Sequence, residues 1–167
     1  MGDSKQFVAI MMGSDSDLPV MQATAEVLRT FGLNYEIRIM SAHRTPAETR
    51  AYVNEAEARG CAVFIAAAGM AAHLAGAVAA ATTRPVIGVP VDSGPLSGFD
   101  ALLSTVQMPG GIPVATVAIG KAGAKNAGYL AAQILGLTDP ALAQRIVDER
   151  RQRADEVLAK DAKLRQG

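Results

Sequence analysis

The sequence has no tryptophan, one cysteine and no excess of either charge. Its 167 residues carry 16 basic and 16 acidic side chains, so the formal net charge is 0. Nucleic-acid binders take most of their affinity from neutralising phosphates, so this balance argues against DNA or RNA as a partner. The lone thiol, Cys61, can form neither an internal disulfide nor a thiolate metal site, which favours a reducing cytoplasm.

One uncharged segment, residues 61–83, is long enough to span a bilayer. Near Gly69 its composition changes from β-branched and aromatic residues to alanine, and it contains His73. This change predicts a buried strand, a turn and a buried helix, and no membrane association. The N-terminal residues lack the basic segment, apolar core and cleavage site of a secretion signal, so we expect a cytoplasmic protein.

Short apolar runs alternate with helical patterns along the chain. The runs predict strands at 7–12, 35–40, 63–66, 86–89 and 114–119, and the patterns predict helices at 17–32, 45–60, 71–81, 99–106, 122–136 and from Pro140 onward. Strands separated by helices indicate parallel βαβ units. We therefore predict one α/β domain over residues 1–167, a three-layer αβα sandwich with a parallel, five-stranded, flavodoxin-like sheet of order 2-1-3-4-5.

The last predicted helix, residues 140–164, is charged on nearly all sides, so little of it can be buried on its own domain. Its apolar residues could pack on a neighbouring subunit, or the helix could be a solvated tail. These residues are Ile146, Val147, Val157 and Leu158. Periodicity leaves both interpretations open.

A sheet of this order binds ligands beyond the carboxyl ends of its strands, where the order reverses between strands 1 and 3. In the loop after strand 1, backbone N–H groups with Ser14 or Ser16 could bind a phosphate, and Asp17 could accept hydrogen bonds from ribose hydroxyls. Alternatively, Ser16 and Asp17 cap the following helix. Asp15 and Asp17 could also hold a metal, but a third ligand is lacking.

The loop after strand 2 places His43 beside Arg44. An arginine offers a planar fork of donors to a phosphate, and a histidine can carry a proton near neutral pH; either residue could instead only decorate the loop. Thr45, with Pro46 next and Glu48 three residues on, predicts a capping box that starts the second helix.

The loop after strand 3 contains the second histidine, His73, among small residues that would let a planar ligand approach the backbone. His73 could equally be a histidine satisfied in the first turn of a buried helix. We interpret Cys61 as inert packing. The sequence contains neither a serine nucleophile elbow nor a P-loop motif.

Taken together, six blocks in this order and spacing closely resemble the N5-carboxyaminoimidazole ribonucleotide mutases, the class I PurE family of bacterial purine (IMP) biosynthesis. The blocks are MGSDSD, SAHRTP, AAHLAG, VPV, LSTVQMPGG and VATVAIGKAGAKNAGYLAAQILG, within residues 7–136. The resemblance implies an isomerase that moves a carboxylate from the exocyclic nitrogen of an aminoimidazole ribonucleotide to carbon 4 of its ring.

The resemblance also implies residue roles. His43 would be the general acid and base, and Ser14, Asp17 and Arg44 would bind the nucleotide. We add Ser41, Gly69 and His73, from the same loops, as predicted substrate-binding residues. No metal or organic cofactor is implied. The expected partners are the small ribonucleotide, further copies of the chain in an octamer joined by the last helix, and transiently the enzyme that supplies the substrate.

The sequence departs from the family pattern in the loop after strand 3, where Ala67 and Met70 stand for glycines and Ala75 for proline. A glycine position with positive φ would strain an L-residue there by about 1 kcal/mol or more.

Two alternatives stay open. A sister branch of carboxylases uses free CO2, but it typically has lysine after the motif histidine and lacks AAHL, so Arg44 and His73 favour the mutase. A non-catalytic phosphate or flavin-mononucleotide module would bind a nucleotide tightly with His43 dispensable. A flavin site should also show aromatic side chains, and the chain has only three tyrosines and four phenylalanines.

Overall fold

The computed structural model describes residues 6–165. Five parallel strands form one sheet of order β2-β1-β3-β4-β5, which confirms the predicted flavodoxin-like order. The strands are β1 (Phe7–Met12), β2 (Asn34–Ile39), β3 (Cys61–Gly69), β4 (Val86–Val91) and β5 (Ala115–Thr116). The helices are α1 (Leu18–Thr30), α2 (Pro46–Ala58), α3 (Leu74–Ala79), α4 (Phe99–Val106), α5 (Gly120–Gly136) and α6 (Pro140–Leu164).

Strand β1 shows why both faces of the sheet need helices. Its alternate residues Val8, Ile10 and Met12 join one hydrophobic core with side chains of α1 and α5. The intervening residues, Phe7, Ala9 and Met11, join a second core with side chains of α2 and α3. Helices on both faces bury the whole strand, as its continuous apolar run predicted, whereas the edge strand β2 is largely exposed.

Helices α1 and α5 pack closely because small residues face α1. The Thr24 hydroxyl donates a hydrogen bond of 2.7 Å to the Ala124 carbonyl. At Gly128, a Cβ would lie 2.8 Å from the Cβ of Val27, so only glycine allows this approach. The contact fixes α1 beneath the sheet, and α1 carries the loop after β1 at its N-terminus.

The fifth strand and the third helix are much shorter in the structure than predicted. Only Ala115 and Thr116 of the fifth strand pair with β4, because the chain then turns toward α5, where Gly123 packs against the Ala118 carbonyl. Helix α3 begins at Leu74, three residues later than predicted, because the Ala72 N–H bonds to the Ser104 hydroxyl of α4 at 2.9 Å.

The segment 61–83 does form a buried strand followed by a helix, as predicted. Among the helices of residues 6–165, none is long and apolar enough to cross a membrane.

Helix α6 is anchored mainly in its first half, and Arg153, just beyond its midpoint, also bonds to the Tyr129 hydroxyl. Leu142 is buried, the Arg145 guanidinium donates to the Phe31 carbonyl at 3.3 Å, and the Tyr129 hydroxyl donates to Glu149 at 2.7 Å. Every side chain from 151 to 165 is exposed. The second half of α6 therefore extends beyond the rest of the described chain.

Candidate functional site

A cavity of about 490 Å³ opens at the carboxyl ends of β1, β2 and β3. The three loops singled out in the sequence form its walls. All of the predicted site residues line it, namely Ser14, Asp17, Ser41, His43, Arg44, Gly69 and His73. The cavity is lined further by residues that sequence reasoning did not select for the site, among them Ala42, Met70 and Ser93.

The two histidines of the chain are in direct contact. Nε2 of His43 lies 2.7 Å from Nδ1 of His73, with the ring planes at 77°. His73 occupies the N-cap position of α3 but makes no capping hydrogen bond, since its ring is turned toward His43. Only one proton fits between these two nitrogens. The hydrogen bond therefore requires one nitrogen to donate and the other to accept, so at most one of the two rings can be protonated on both nitrogens.

Arg44 links the loop after β2 to the loop after β1. Its Nη2 donates to the Gly13 carbonyl at 2.8 Å. The Ser41 hydroxyl accepts from the Arg44 backbone N–H at 3.1 Å and from Nε at 3.5 Å. The exposed guanidinium is thus held at one end, and Arg44 and Ser14 both line the cavity.

The predicted capping box at Thr45 is absent, which corrects that expectation. The Thr45 side chain makes no capping hydrogen bond to α2. Its hydroxyl instead donates to the Ser41 carbonyl at 3.1 Å and accepts from the Ser41 N–H at 3.0 Å. These two bonds close the loop that carries His43 and Arg44, so Thr45 orders the site and not the helix end.

The loop after β1 forms a single 3-10 turn, Asp15–Asp17, before α1 begins. The Ser14 hydroxyl accepts from the Ser16 N–H at 3.4 Å and donates to Asp15 at 3.0 Å. Asp17 precedes α1, but its side chain makes no capping bond to that helix. Helix capping therefore does not explain this aspartate.

Asp17 is a buried carboxyl group, only 5% exposed, that lines the cavity. Burial raises the pKa of this carboxyl above its ordinary value, and hydrogen bonds from Ser14 and Ser16 oppose the rise in part. A buried carboxylate is unfavourable unless a partner donates to it. Ser14 and Ser16 already donate to Asp17, and a ligand hydroxyl in the cavity would add a further donor.

The floor of the cavity is formed by the end of β3 and the turn into α3. Met70 adopts a left-handed conformation with φ of 55°, whereas Ala67 lies inside β3 and does not. Of the two departures from glycine, only Met70 therefore carries the strain considered above. The apolar part of the lining comes from Ala68, Ala71 and Leu74.

Ser93 is the main residue that sequence reasoning missed. It lies in the loop after β4, and its hydroxyl rests directly on Gly69, where a Cβ would come within 1.5 Å of Oγ. The topology contained the signal, because β4 neighbours β3 and its carboxyl end opens at the same edge of the sheet. Within residues 6–165, no cluster of three histidine, cysteine or acidic side chains could hold a metal ion.

The sheet order and this cavity define a class of protein, an α/β protein whose switch-point pocket combines two histidines in contact with an arginine. Within that class, the chain belongs to the AIR carboxylase family, whose model matches residues 7–156.

Curated relatives agree with the resemblance seen in the sequence. The chain is 56% identical to the N5-carboxyaminoimidazole ribonucleotide mutase of Thermotoga maritima over 95% of this chain and 92% of the relative. It is 54% identical to the mutase of Escherichia coli K12 over 90% of this chain and 89% of the relative. The crystal structure of Treponema denticola PurE superposes with a TM-score of 0.87 at 34% identity, covering 95% of this chain and 98% of that one.

Proposed function

We propose that this protein is an isomerase of purine biosynthesis, which converts N5-carboxyaminoimidazole ribonucleotide into 4-carboxyaminoimidazole ribonucleotide. The observation that carries the proposal is the contact of 2.7 Å between His43 and His73 inside a pocket that also holds Arg44. The names of the relatives at 54–56% identity support the same reaction.

The nucleotide's phosphate and ribose would bind at the walls formed by β1 and β2. Arg44 supplies the positive charge for the phosphate, and Ser14 a hydroxyl donor beside it. Ser41 acts mainly by holding Arg44, since its hydroxyl accepts two bonds from that residue. Asp17 would accept from the ribose hydroxyls, which would compensate the burial of its carboxylate.

The reaction needs one proton carrier that acts twice. Protonated His43 gives its proton to the carbamate nitrogen, the bond from that nitrogen to the carboxyl carbon breaks, and CO2 forms while the bonding pair stays on nitrogen. Carbon 4 of the electron-rich ring then attacks CO2. Neutral His43 finally removes the proton from carbon 4, which restores both the aromatic ring and the starting state of the enzyme.

His73 would act as the orienting partner of His43. A hydrogen bond between the rings fixes which His43 nitrogen points into the cavity, as a general base must be oriented to transfer a proton efficiently. Gly69 would bring the substrate ring close to the backbone of β3. Ala68, Ala71 and Leu74 give the cavity an apolar lining beside which CO2 would be held, and a closed pocket would slow its escape.

We also propose that the protein is a single cytoplasmic domain that assembles as a homo-oligomer, with an octamer as the expected form. Val157 and Leu158 on the second half of α6 are 64% and 65% exposed, which supports burial against other copies. Replacing both residues with glutamate should lower the mass measured by sedimentation. Gln22→Glu, which adds a negative charge on the exposed surface of α1, is the control.

The test is an ultraviolet time course on the purified protein with N5-carboxyaminoimidazole ribonucleotide. A parallel reaction contains aminoimidazole ribonucleotide with bicarbonate and CO2. We expect rapid product formation from the carbamate and little from CO2. Reaction only in the second tube would assign the protein to the CO2-using carboxylases, and no reaction in either would reject both enzymes.

The same time course with His43→Asn tests the proton carrier. We expect turnover to disappear, since asparagine cannot exchange a proton, while calorimetry with the product nucleotide shows nearly unchanged affinity. Lys125→Gln, a change of an exposed residue outside the cavity lining, controls for general effects of substitution. Undiminished turnover by His43→Asn would reject this residue as the proton carrier.

A further inference from the structure

The turn at the end of β3 and the loop after β4, residues 92–98, meet at the mouth of the cavity. Ser93 of that loop rests on Gly69, as described above. One residue farther along in each segment, Cγ of Met70 lies 3.7 Å from the position that a Cβ would take on Gly94. The two segments therefore lie side by side at consecutive positions, and one of these residues, Met70, has a strained backbone conformation.

The Met70 side chain has no role in the hydrophobic cores. It is 59% exposed, lines the cavity and belongs to neither core cluster. Left-handed geometry is unfavourable for a residue with a Cβ, and the turn is fixed on its other side by the Ala72 bond to Ser104. The strained turn thus projects a long apolar side chain onto the loop at the edge of the pocket.

The loop beside Met70 is anchored at Gly98, which is buried, and is exposed between that glycine and Ser93. Residues 94–97 are all exposed, Ser97 has a positive φ of 50°, and glycines with positive φ occupy positions 94 and 98. Such a segment can move away from the pocket at low energy. The Met70 side chain beside Gly94 therefore affects the position of the whole loop. That position decides whether Ser93 stays on Gly69 and whether the apolar floor of the cavity stays covered.

We propose that Met70 is a positioning residue that seats the loop 92–98 over the pocket and thereby retains CO2 between its release and its capture. This inference rests on the proposed mutase reaction. After the carbon–nitrogen bond breaks, CO2 has two fates. Carbon 4 attacks it and yields product, or it escapes to bulk water, is hydrated to bicarbonate and leaves aminoimidazole ribonucleotide behind.

The experiment measures that partition with substrate labelled in the carboxylate by carbon-14. The leak is the label that appears in bulk bicarbonate for each product molecule formed, after subtraction of spontaneous decay measured with His43→Asn. Met70→Ala should increase the leak about fourfold, the effect of one methylene contact of about 0.8 kcal/mol at 1.4 kcal/mol per tenfold. Met70→Leu keeps an apolar side chain of similar volume and should restore a leak close to that of the parent protein.

Met70→Gly separates the contact from the strain. It removes the side chain and also relieves the left-handed backbone, so a contact mechanism predicts the same leak as Met70→Ala despite a higher melting temperature. A leak that rises in Met70→Ala but not in Met70→Gly would assign the effect to strain and overturn the proposal. An unchanged leak in Met70→Ala would overturn it as well.

Hydrogen exchange of residues 92–98 tests the seating without any turnover. Met70→Ala should speed exchange in this loop and leave β1 unchanged, whereas equal exchange would refute the contact itself. The measurement also distinguishes two kinds of failure. If the parent protein does not convert the carbamate, the proposed function fails while faster loop exchange still supports the seating, and faster exchange without added leak rejects only the retention of CO2.

Discussion

Replacing Gly69 with alanine tests why the pocket floor requires a glycine. The structure indicates that the close approach of Ser93 to Gly69, and not substrate contact alone, is the reason. The added Cβ would lie 1.5 Å from Oγ of Ser93, 2.9 Å from Cβ of Ser93 and 3.3 Å from the Val91 carbonyl oxygen. The hydroxyl can rotate away, but the Cβ of Ser93 can move only with its backbone. The variant must therefore displace the loop after β4.

The expected loss follows from these distances. Inserting one methyl group into packed structure typically costs about 1–3 kcal/mol, and the exposed loop can relax, so we expect a loss of about 1–2 kcal/mol in the free energy of unfolding. Ser93→Gly removes both close atoms and should rescue most of that loss. Ser93→Ala keeps the atom at 2.9 Å, so its rescue should be smaller.

The assay is urea unfolding of the two single variants and the double variant, analysed as a double-mutant cycle. Residues in contact show interaction energies of about 0.5–3 kcal/mol, so Ser93→Gly and Gly69→Ala should be less damaging together than their sum by at least about 0.5 kcal/mol. Equal slopes against urea would show that the unfolded states are comparable. Simple additivity would refute the argument that Ser93 is what excludes a side chain at Gly69.

Three further predictions concern single side chains. Arg44→Ala should raise KM about 10- to 100-fold, since hydrogen bonds to charged groups contribute about 1.5–3 kcal/mol; steady-state kinetics beside Arg44→Lys check this, and an unaltered KM would contradict the phosphate role. Burial raises the pKa of Asp17 in the folded state above the ordinary value of 3.8. At any pH above 3.8, ionisation of Asp17 therefore destabilises the folded protein. Asp17→Asn should therefore raise the free energy of unfolding at pH 7, with a gain that shrinks as the pH falls toward 3.8; a gain independent of pH would exclude this cause. Burial also raises the pKa of the Cys61 thiol to about 11, so iodoacetamide at pH 8 should alkylate it only after unfolding, and rapid alkylation of the native protein would show that the thiol is accessible.

Elements with a clear local signal were predicted accurately. The apolar run of β1 and the helix Phe99–Val106 have the predicted bounds, and the alternating pattern of β2 matches its exposed edge position. Elements whose ends depend on contacts with other segments were predicted less accurately. The length of α3 depends on Ser104, which is 30 residues later than the helix start, and the role of Thr45 depends on its bonds to Ser41.

The candidate site divides in the same way. Residue type and spacing made His43, Arg44 and Asp17 candidates, with Ser14 or Ser16, because chemistry near neutral pH and phosphate binding use few side-chain types. The family resemblance then selected Ser14 and assigned the roles. That His43 touches His73, 30 residues away, was not readable from either loop alone. Ser93 carried no motif of its own, and only the pairing of β4 with β3 brings it to the pocket.

By itself the sequence determined the class of fold, the three loops of the site and the family, because hydrophobic periodicity and short motifs are local properties of the chain. The tertiary structure alone decided which side chains meet. It brought the two histidines within hydrogen-bond distance of each other and buried the Asp17 carboxyl group. It also placed Met70, in a left-handed conformation, beside the loop 92–98. The physical reason is that contact distances and burial arise from packing between segments remote in sequence, which no local pattern encodes.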